Sequence, residues 1–244
     1  MVADAIAEGV QIKSGVGFVR KIGRTIQSTE CQYEAGYIVN AAGLYADQIA
    51  RQFGFSERYC ILPFKGLYLY SDEPPGAPRT NIYPVPDLRN PFIGVHFTVT
   101  NEGKAKIGPT AIPALWREQY GGVSRFSLAE FIEITGRGLS LLGNEFRRLA
   151  VEEVKKYSRP RMVKLAGELV EGVRLEQYSK WGKPGIRAQL LDIRKRRLEM
   201  DFVLEGDDRS IDRSMHVLNA VSPAFTCSLP FSQYVCDRIE KATH

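Results

Sequence analysis

Tyr37-Ile38-Val39-Asn40-Ala41-Ala42-Gly43-Leu44-Tyr45-Ala46-Asp47-Gln48-Ile49-Ala50-Arg51 contains three patterns in succession. Tyr37-Ile38-Val39 is short and apolar, as for a strand buried on both faces. Asn40-Ala41-Ala42-Gly43 is a run of small residues. Tyr45, Ile49 and Phe53 then recur at helical spacing with Ala46 and Ala50 beside them, and Gly54 follows as a C-cap. The stretch reads as strand, small-residue turn, helix. Small residues after a buried strand let backbone approach a ligand, and the helix start favours an anion. A tight strand–helix packing turn accounts for the same residues equally well.

A second unit of this kind stands near the other end. MHVLNA is a strand, Ser222 suits an N-cap and Pro223 a first helical position, and the helix runs to about Lys241. Short strands are predicted ahead of the first unit, in GVQIKS, GFVRKIG and TIQSTECQYE. Between the units LPFKGLYLYS, IYPVPD, PFIGVHFTVT and KAKIGPTA read as strands, with a hairpin turn at residues 101–103. Ser127 and Glu130 form a capping-box pattern that opens a helix through SLAEFIEITGRGLSLL. A second helix is predicted near 145–157 and another from Arg159-Pro160. GIRAQLLD and LEMDFVLEG return to strands. The expected fold class is mixed, α+β with α/β, in which a discontinuous domain wraps around an inserted one.

Composition sets the outer bounds. With 244 residues, 44% hydrophobic and 25% charged, the chain is an ordinary globular sequence. No run of about 18 apolar residues suggests a spanning helix. The first residues, acidic and without a long apolar core, do not read as a secretory signal, so the cytoplasm is the expected location. Thirty-three Lys and Arg against 28 Asp and Glu leave a net charge of +5. That is compatible with anionic ligands or peripheral contact with a membrane surface, and it does not indicate a nucleic-acid partner. The run Arg194-Lys195-Arg196-Arg197 reads as a solvated turn between strands, with a phosphate-binding patch as the alternative. Cys31, Cys60, Cys227 and Cys236 form no CxxC, and His96, His216 and His244 lack ligand spacing, so no metal site is expected. Gly15-Val16-Gly17-Phe18-Val19-Arg20 fails as a dinucleotide fingerprint at its third glycine.

The order of motifs is more specific than any one of them. VNAAGLYADQIAR, LPFKGLYLY, PFIGVHFTVT, KIGPTA, GIRAQLLD, DFVLEG and HVLNAVSPAFTCSLPF follow one another from residue 39 to residue 231. The series resembles the FAD-dependent oxidoreductases of the D-amino-acid-oxidase superfamily, and within it the enzymes that oxidise L-2-hydroxyglutarate. The likeness runs from about residue 9 onward. It implies FAD as cofactor, a small 2-hydroxy acid as substrate, and hydride transfer that yields the 2-oxo acid. It also implies a partial FAD-binding domain from residues 1–60 and 206–244, with a substrate domain in residues 61–205. The family's GxGxxG βαβ unit does not occur in the sequence. The chain is therefore expected to correspond to the C-terminal part of such an enzyme. It would act so, or as a non-catalytic remnant, or as half of a split enzyme whose partner chain supplies the missing segment. An exposed apolar face is expected beside the first unit.

The resemblance assigns roles residue by residue. Asn40, Ala41, Ala42 and Gly43 are expected near the flavin, as are Asn219, Ala220, Ser222 and Pro223, with the start of the last helix facing the ring. His96 is the expected base for the substrate hydroxyl, since imidazole titrates near neutrality. Arg187 and Lys65 are expected to anchor substrate carboxylates together. Gln189 is a further donor to substrate or flavin. His216 reads as structural.

Overall fold

A computed structural model describes residues 1–76, 78–85, 92, 94–141, 153–207, 213–221 and 224–243. In chain order its elements are α1 (Val2–Ala7), β1 (Phe18–Ile22), β2 (Thr25–Ser28), β3 (Gln32–Glu34), β4 (Ile38–Asn40), α2 (Ala46–Arg51), β5 (Tyr59–Gly66) and β6 (Leu69–Tyr70). There follow β7 (His96–Val99), β8 (Ala105–Gly108), β9 (Ile112–Pro113), α3 (Leu128–Ser140), α4 (Arg159–Gly167), β10 (Lys180–Trp181) and β11 (Gly185–Asp192). The last are β12 (Arg197–Leu198), β13 (Val203–Asp207), β14 (Ser214–Asn219) and α5 (Ser228–Thr243).

The centre is the antiparallel pair β5–β11, in register from Tyr59 opposite Asp192 to Gly66 opposite Gly185. Side chains alternate between the two faces of a strand. Cys60, Leu62, Phe64 and Leu191 therefore share one face, where they pack with Phe92, Ile134 and Leu141. Tyr59, Ile61 and Leu190 share the other, where they meet Ala46 and Ala50 of α2 and Leu218 of β14. Helices thus cover both faces, which is why β5 reads as an unbroken apolar run. Each large side chain so buried contributes about 1.5–3 kcal/mol. A second sheet, β10-β6-β8-β7, packs Leu69, Phe97 and Ile107 against Met162, Val163 and Ala166 of α4.

The third sheet joins the two ends of the chain. Its order is β13-β14-β4, with β14 parallel to β4 and Ser214, Met215 and His216 opposite Ile38, Val39 and Asn40. On its other side β4 has no strand partner among the described residues, and Val39 is 48% exposed. The boundaries at 60/61 and 205/206 expected for two domains fall inside β5 and β13. The basic run forms the β11–β12 turn, with Arg194, Lys195 and Arg196 exposed.

Several elements depart from the sequence reading. GVQIKS is not a strand: Val10 N–H bonds back to Ala5 O behind α1, and among the described residues no strand pairs with this segment. LPFKGLYLYS is two strands in two sheets, because Leu67 N–H leaves the ladder for Thr110 Oγ1. LEMDFVLEG is also divided, because Asn219 Nδ2 donates to the carbonyls of Glu199 and Asp201 and holds that bend out of the sheet. The last helix begins at Ser228, after a turn closed by Ala224 N–H to Val221 O. The proline in its first turn is Pro230, where the missing N–H leaves no bond unmade. IYPVPD contributes a single bridge, Ile82 opposite Phe97, and its residues 86–87 lie outside the described residues, as do 145–152 of the helix expected near 145–157.

Candidate functional site

A cavity of about 440 Å³ opens where β5, β7 and β11 meet the segment after β14. That volume suits a small organic ligand. His96, Arg187 and Ala220 all line it, together with Phe64, Tyr68, Phe92, Thr110 and Glu153. Three residues singled out in distant parts of the sequence therefore share one pocket.

His96 opens β7 and is half-buried. Gly94, at φ +89°, turns its carbonyl back onto the imidazole, 3.0 Å from Nδ1. A carbonyl only accepts, so Nδ1 carries the proton and the Nε2 lone pair is left as the base. Tyr83 lies against the ring at 4.6 Å between centroids, brought there by the Ile82–Phe97 bridge. Burial lowers the His96 pKa below the usual 6.5, helped by the nearby Lys106 charge and opposed by the Gly94 carbonyl. The imidazole is then neutral, and able to accept a proton, at neutral pH.

Arg187 sits on the cavity wall with its guanidinium 5.4 Å from the Phe92 ring centre. Burial lowers its pKa, and it has no carboxylate partner among the described residues. A fork held this way is suited to a substrate carboxylate. Lys65 is not its companion. Arg187 lies opposite Phe64 in the ladder and Lys65 opposite Ile186, so parity sends the two cations to opposite faces of the sheet. The expected two-cation anchor is thereby corrected to Arg187 alone among the predicted residues. Gln189 is corrected too. It is fully buried, its Nε2 donates to Glu199 O at 2.5 Å, and it does not line the cavity. Together with Asn219 it pins the bend at 199–201.

The small-residue turns lie at the carboxyl ends of β4 and β14, two neighbouring parallel strands. Ligands in open α/β sheets bind at such ends. Ala41, Ala42 and Gly43 are exposed. Gly43, at φ +56°, has nothing within 4 Å of the place a Cβ would occupy. An open small-residue surface of this kind fits a flat cofactor ring. Asn40 instead faces inward. It is 5% exposed; its Oδ1 accepts from Ala42 N–H at 3.1 Å and its Nδ2 donates to Ala46 O at 2.8 Å. The side chains of Asn40 and Asn219 are buried and shape their turns through bonds to backbone. Ser222 and Pro223 lie outside the described residues.

His216 is buried beside Asn40 between the Phe53 and Phe55 rings. Burial pushes its pKa down to about 4 from 6.5. Between these values the unfolded chain binds a proton that the folded chain refuses, so stability falls as pH drops from 6.5 toward 4. The loss amounts to roughly 3 kcal/mol. Urea unfolding midpoints should decline over that window, and His216→Asn should flatten the decline.

A buried ion pair escaped the sequence reading. Asp47 and Arg117 are both fully buried and joined by two bonds of 2.9 and 3.0 Å. Asp47 also accepts from Ile61 N–H and Arg51, each at 3.1 Å, while Arg117 donates to Leu44 O. Glu133 lies 3.7 Å from Arg117, and Glu130 accepts from the Arg117 N–H at 2.9 Å. Asp47 occupies a helical position next to the predicted apolar stripe; only Arg117, 70 residues away, reveals its use.

Solved structures resemble this architecture. L-alpha-glycerophosphate oxidase from Mycoplasma pneumoniae aligns with a TM-score of 0.62 at 15% identity, over 98% of this chain and 53% of that one. Glycine oxidase from Bacillus cereus aligns with a TM-score of 0.57 at 14% identity, over 99% and 54%. At those identities the likeness concerns the fold alone, a mixed helix-and-sheet architecture shared with oxidoreductases. The family model "FAD dependent oxidoreductase" (DAO) matches residues 1–192, and the chain belongs to that family. Curated relatives include the mitochondrial L-2-hydroxyglutarate dehydrogenase of Bos taurus, 36% identical over 88% of this chain and 46% of that protein. L-2-hydroxyglutarate dehydrogenase of Indibacter alkaliphilus is 31% identical over 97% and 61%, and that of Escherichia coli K12 is 30% identical over 89% and 50%. The chain spans about half the length of most of these relatives.

Proposed function

We propose that the chain provides the substrate pocket and one wall of the flavin site for oxidation of an L-2-hydroxy acid, with L-2-hydroxyglutarate as substrate and 2-oxoglutarate as product. The observation that carries this reading is the cavity that His96, Arg187 and Ala220 line together, with Arg187 lacking a carboxylate partner among the described residues. Arg187 binds a substrate carboxylate and so presents the C2 hydroxyl toward His96. Nε2 of His96 takes the hydroxyl proton as the C2–H bond breaks. FAD, when bound, supplies the hydride acceptor. Ala41, Ala42, Gly43 and Ala220 form the surface along which the ring would lie. Phe64, Phe92 and Tyr68 limit the access of water to the reacting carbon.

Purified chain incubated with FAD, an artificial electron acceptor and L-2-hydroxyglutarate should form 2-oxoglutarate; failure to form it with flavin bound would sink the reading. Arg187→Met should raise KM about 100-fold, the effect of losing one charge-assisted anchor, with a smaller change in kcat. An unchanged KM would remove Arg187 from the site.

A second reading treats the chain as a non-catalytic remnant, or as half of a split enzyme completed by a partner chain. Two observations favour it: no GxGxxG occurs in the sequence to hold the FAD pyrophosphate, and one side of β4 has no strand partner among the described residues, with Val39 exposed. Co-expression with a reading frame encoding a GxGxxG βαβ unit should then yield a complex that binds flavin where the chain alone does not.

A further inference from the structure

His216 takes no part in the pocket chemistry, yet its surroundings are more constrained than a core histidine requires. The Asn40 amide has one backbone donor and one backbone acceptor, Ala42 N–H on Oδ1 and Ala46 O at Nδ2. Together they fix which way the amide faces. The second Nδ2 hydrogen is directed at His216 Nδ1, 3.0 Å away, so Nδ1 must accept. The ring proton is then on Nε2, 3.1 Å from Ser214 Oγ. The Phe53 and Phe55 rings lie against the imidazole at 4.9 and 5.0 Å.

We propose that His216 is a positioning residue: by accepting from Asn40 it fixes the amide that shapes the Asn40–Ala46 turn and so sets the backbone of Ala41–Gly43. The proposal deepens the reading above, since it rests on that turn facing the cofactor. A buried ring that served only to fill space would leave the turn unchanged when replaced by another ring of similar size. An amide that loses its partner does not, because a buried N–H without an acceptor costs enough to drive rearrangement.

The test uses the isotope-labelled chain. In the unaltered protein, histidine nitrogen shifts at neutral pH should show His216 protonated on Nε2. Protonation on Nδ1 overturns the proposal whether or not any variant folds. His216→Phe keeps a ring and removes the acceptor, whereas His216→Asn places Oδ1 where Nδ1 stood. Exchange of the Asn40 side-chain amide protons should be about tenfold faster in His216→Phe and close to the original rate in His216→Asn. Equal rates in all three proteins overturn the positioning role. FAD affinity, read by flavin fluorescence, should follow the same order. Faster exchange with unaltered flavin affinity supports the positioning role and overturns the reading that the turn faces the cofactor. Absence of flavin binding in the unaltered chain likewise overturns only that reading, and the exchange rates still decide the role of His216.

Discussion

Replacing His96 with Gln should lower kcat about 10²–10⁴-fold while leaving KM within a few-fold, because a positioned general base contributes on that scale. The prediction follows from the state of the ring. Nδ1–H donates to Gly94 O, burial favours the neutral imidazole, and Nε2 is left to accept. Glutamine fills the same space and offers hydrogen bonds, but it cannot accept a proton at neutral pH. The pH dependence should agree. Activity should fall on the acid side with a midpoint below 6.5, since the His96 pKa is lowered and protonation removes the base. That acid limb should vanish in His96→Gln. Steady-state rates across pH check both statements. A kcat loss under threefold would remove His96 from proton transfer. Folding should be little affected, because among the described residues the imidazole makes one hydrogen bond, to Gly94 O.

Asp47→Ala should cost about 3–5 kcal/mol of stability, a large part of what a domain of this size possesses. The substitution leaves the Arg117 guanidinium buried without the two bonds that neutralise it. Glu133 at 3.7 Å and Glu130, with its Oε1 4.0 Å from Arg117 Nε, stay within ion-pair distance but do not supply the two short hydrogen bonds that Asp47 makes. It also strips the acceptor from Ile61 N–H in the central strand. Replacing both partners, as Asp47→Leu with Arg117→Met, removes the buried guanidinium and should recover the part of the loss that it causes, while Ile61 N–H stays without its acceptor. Urea unfolding of the single and double variants measures the difference. A single-variant loss below about 1 kcal/mol would mean that the pair behaves as an exposed one.

Much of this was legible in the sequence where pattern and environment agree. GIRAQLLD is a strand over the residues predicted, and Ser127 caps α3 by accepting from Glu130 N–H. The strand of the first unit is present at Ile38–Asn40, but its helix buries the small Ala46 and Ala50 in place of the larger stripe beside them. Glu130 satisfies half of the capping-box expectation, since its carboxylate goes to the Arg117 N–H and not back to Ser127. The site divided along a physical line. His96, Arg187 and Ala220 converge because chain reversal brings their strands together, and motif order had located them. Lys65 and Gln189 failed because ladder parity and a single carbonyl, Glu199 O, decide where a side chain goes. Neither is written in the local sequence. Arg117 was invisible for a related reason, since a lone arginine in a loop gives no sign of the carboxylate that will bury it.

The central claim is that one pocket in this chain holds the hydroxy acid where a flavin can take its hydride. Anaerobic mixing of FAD-loaded protein with L-2-hydroxyglutarate tests it most directly. The account predicts that the visible flavin band bleaches on addition of the acid, bleaches far more slowly in His96→Gln, and requires much higher acid in Arg187→Met. A flavin band that persists under saturating acid in well-folded, flavin-bound protein would contradict it.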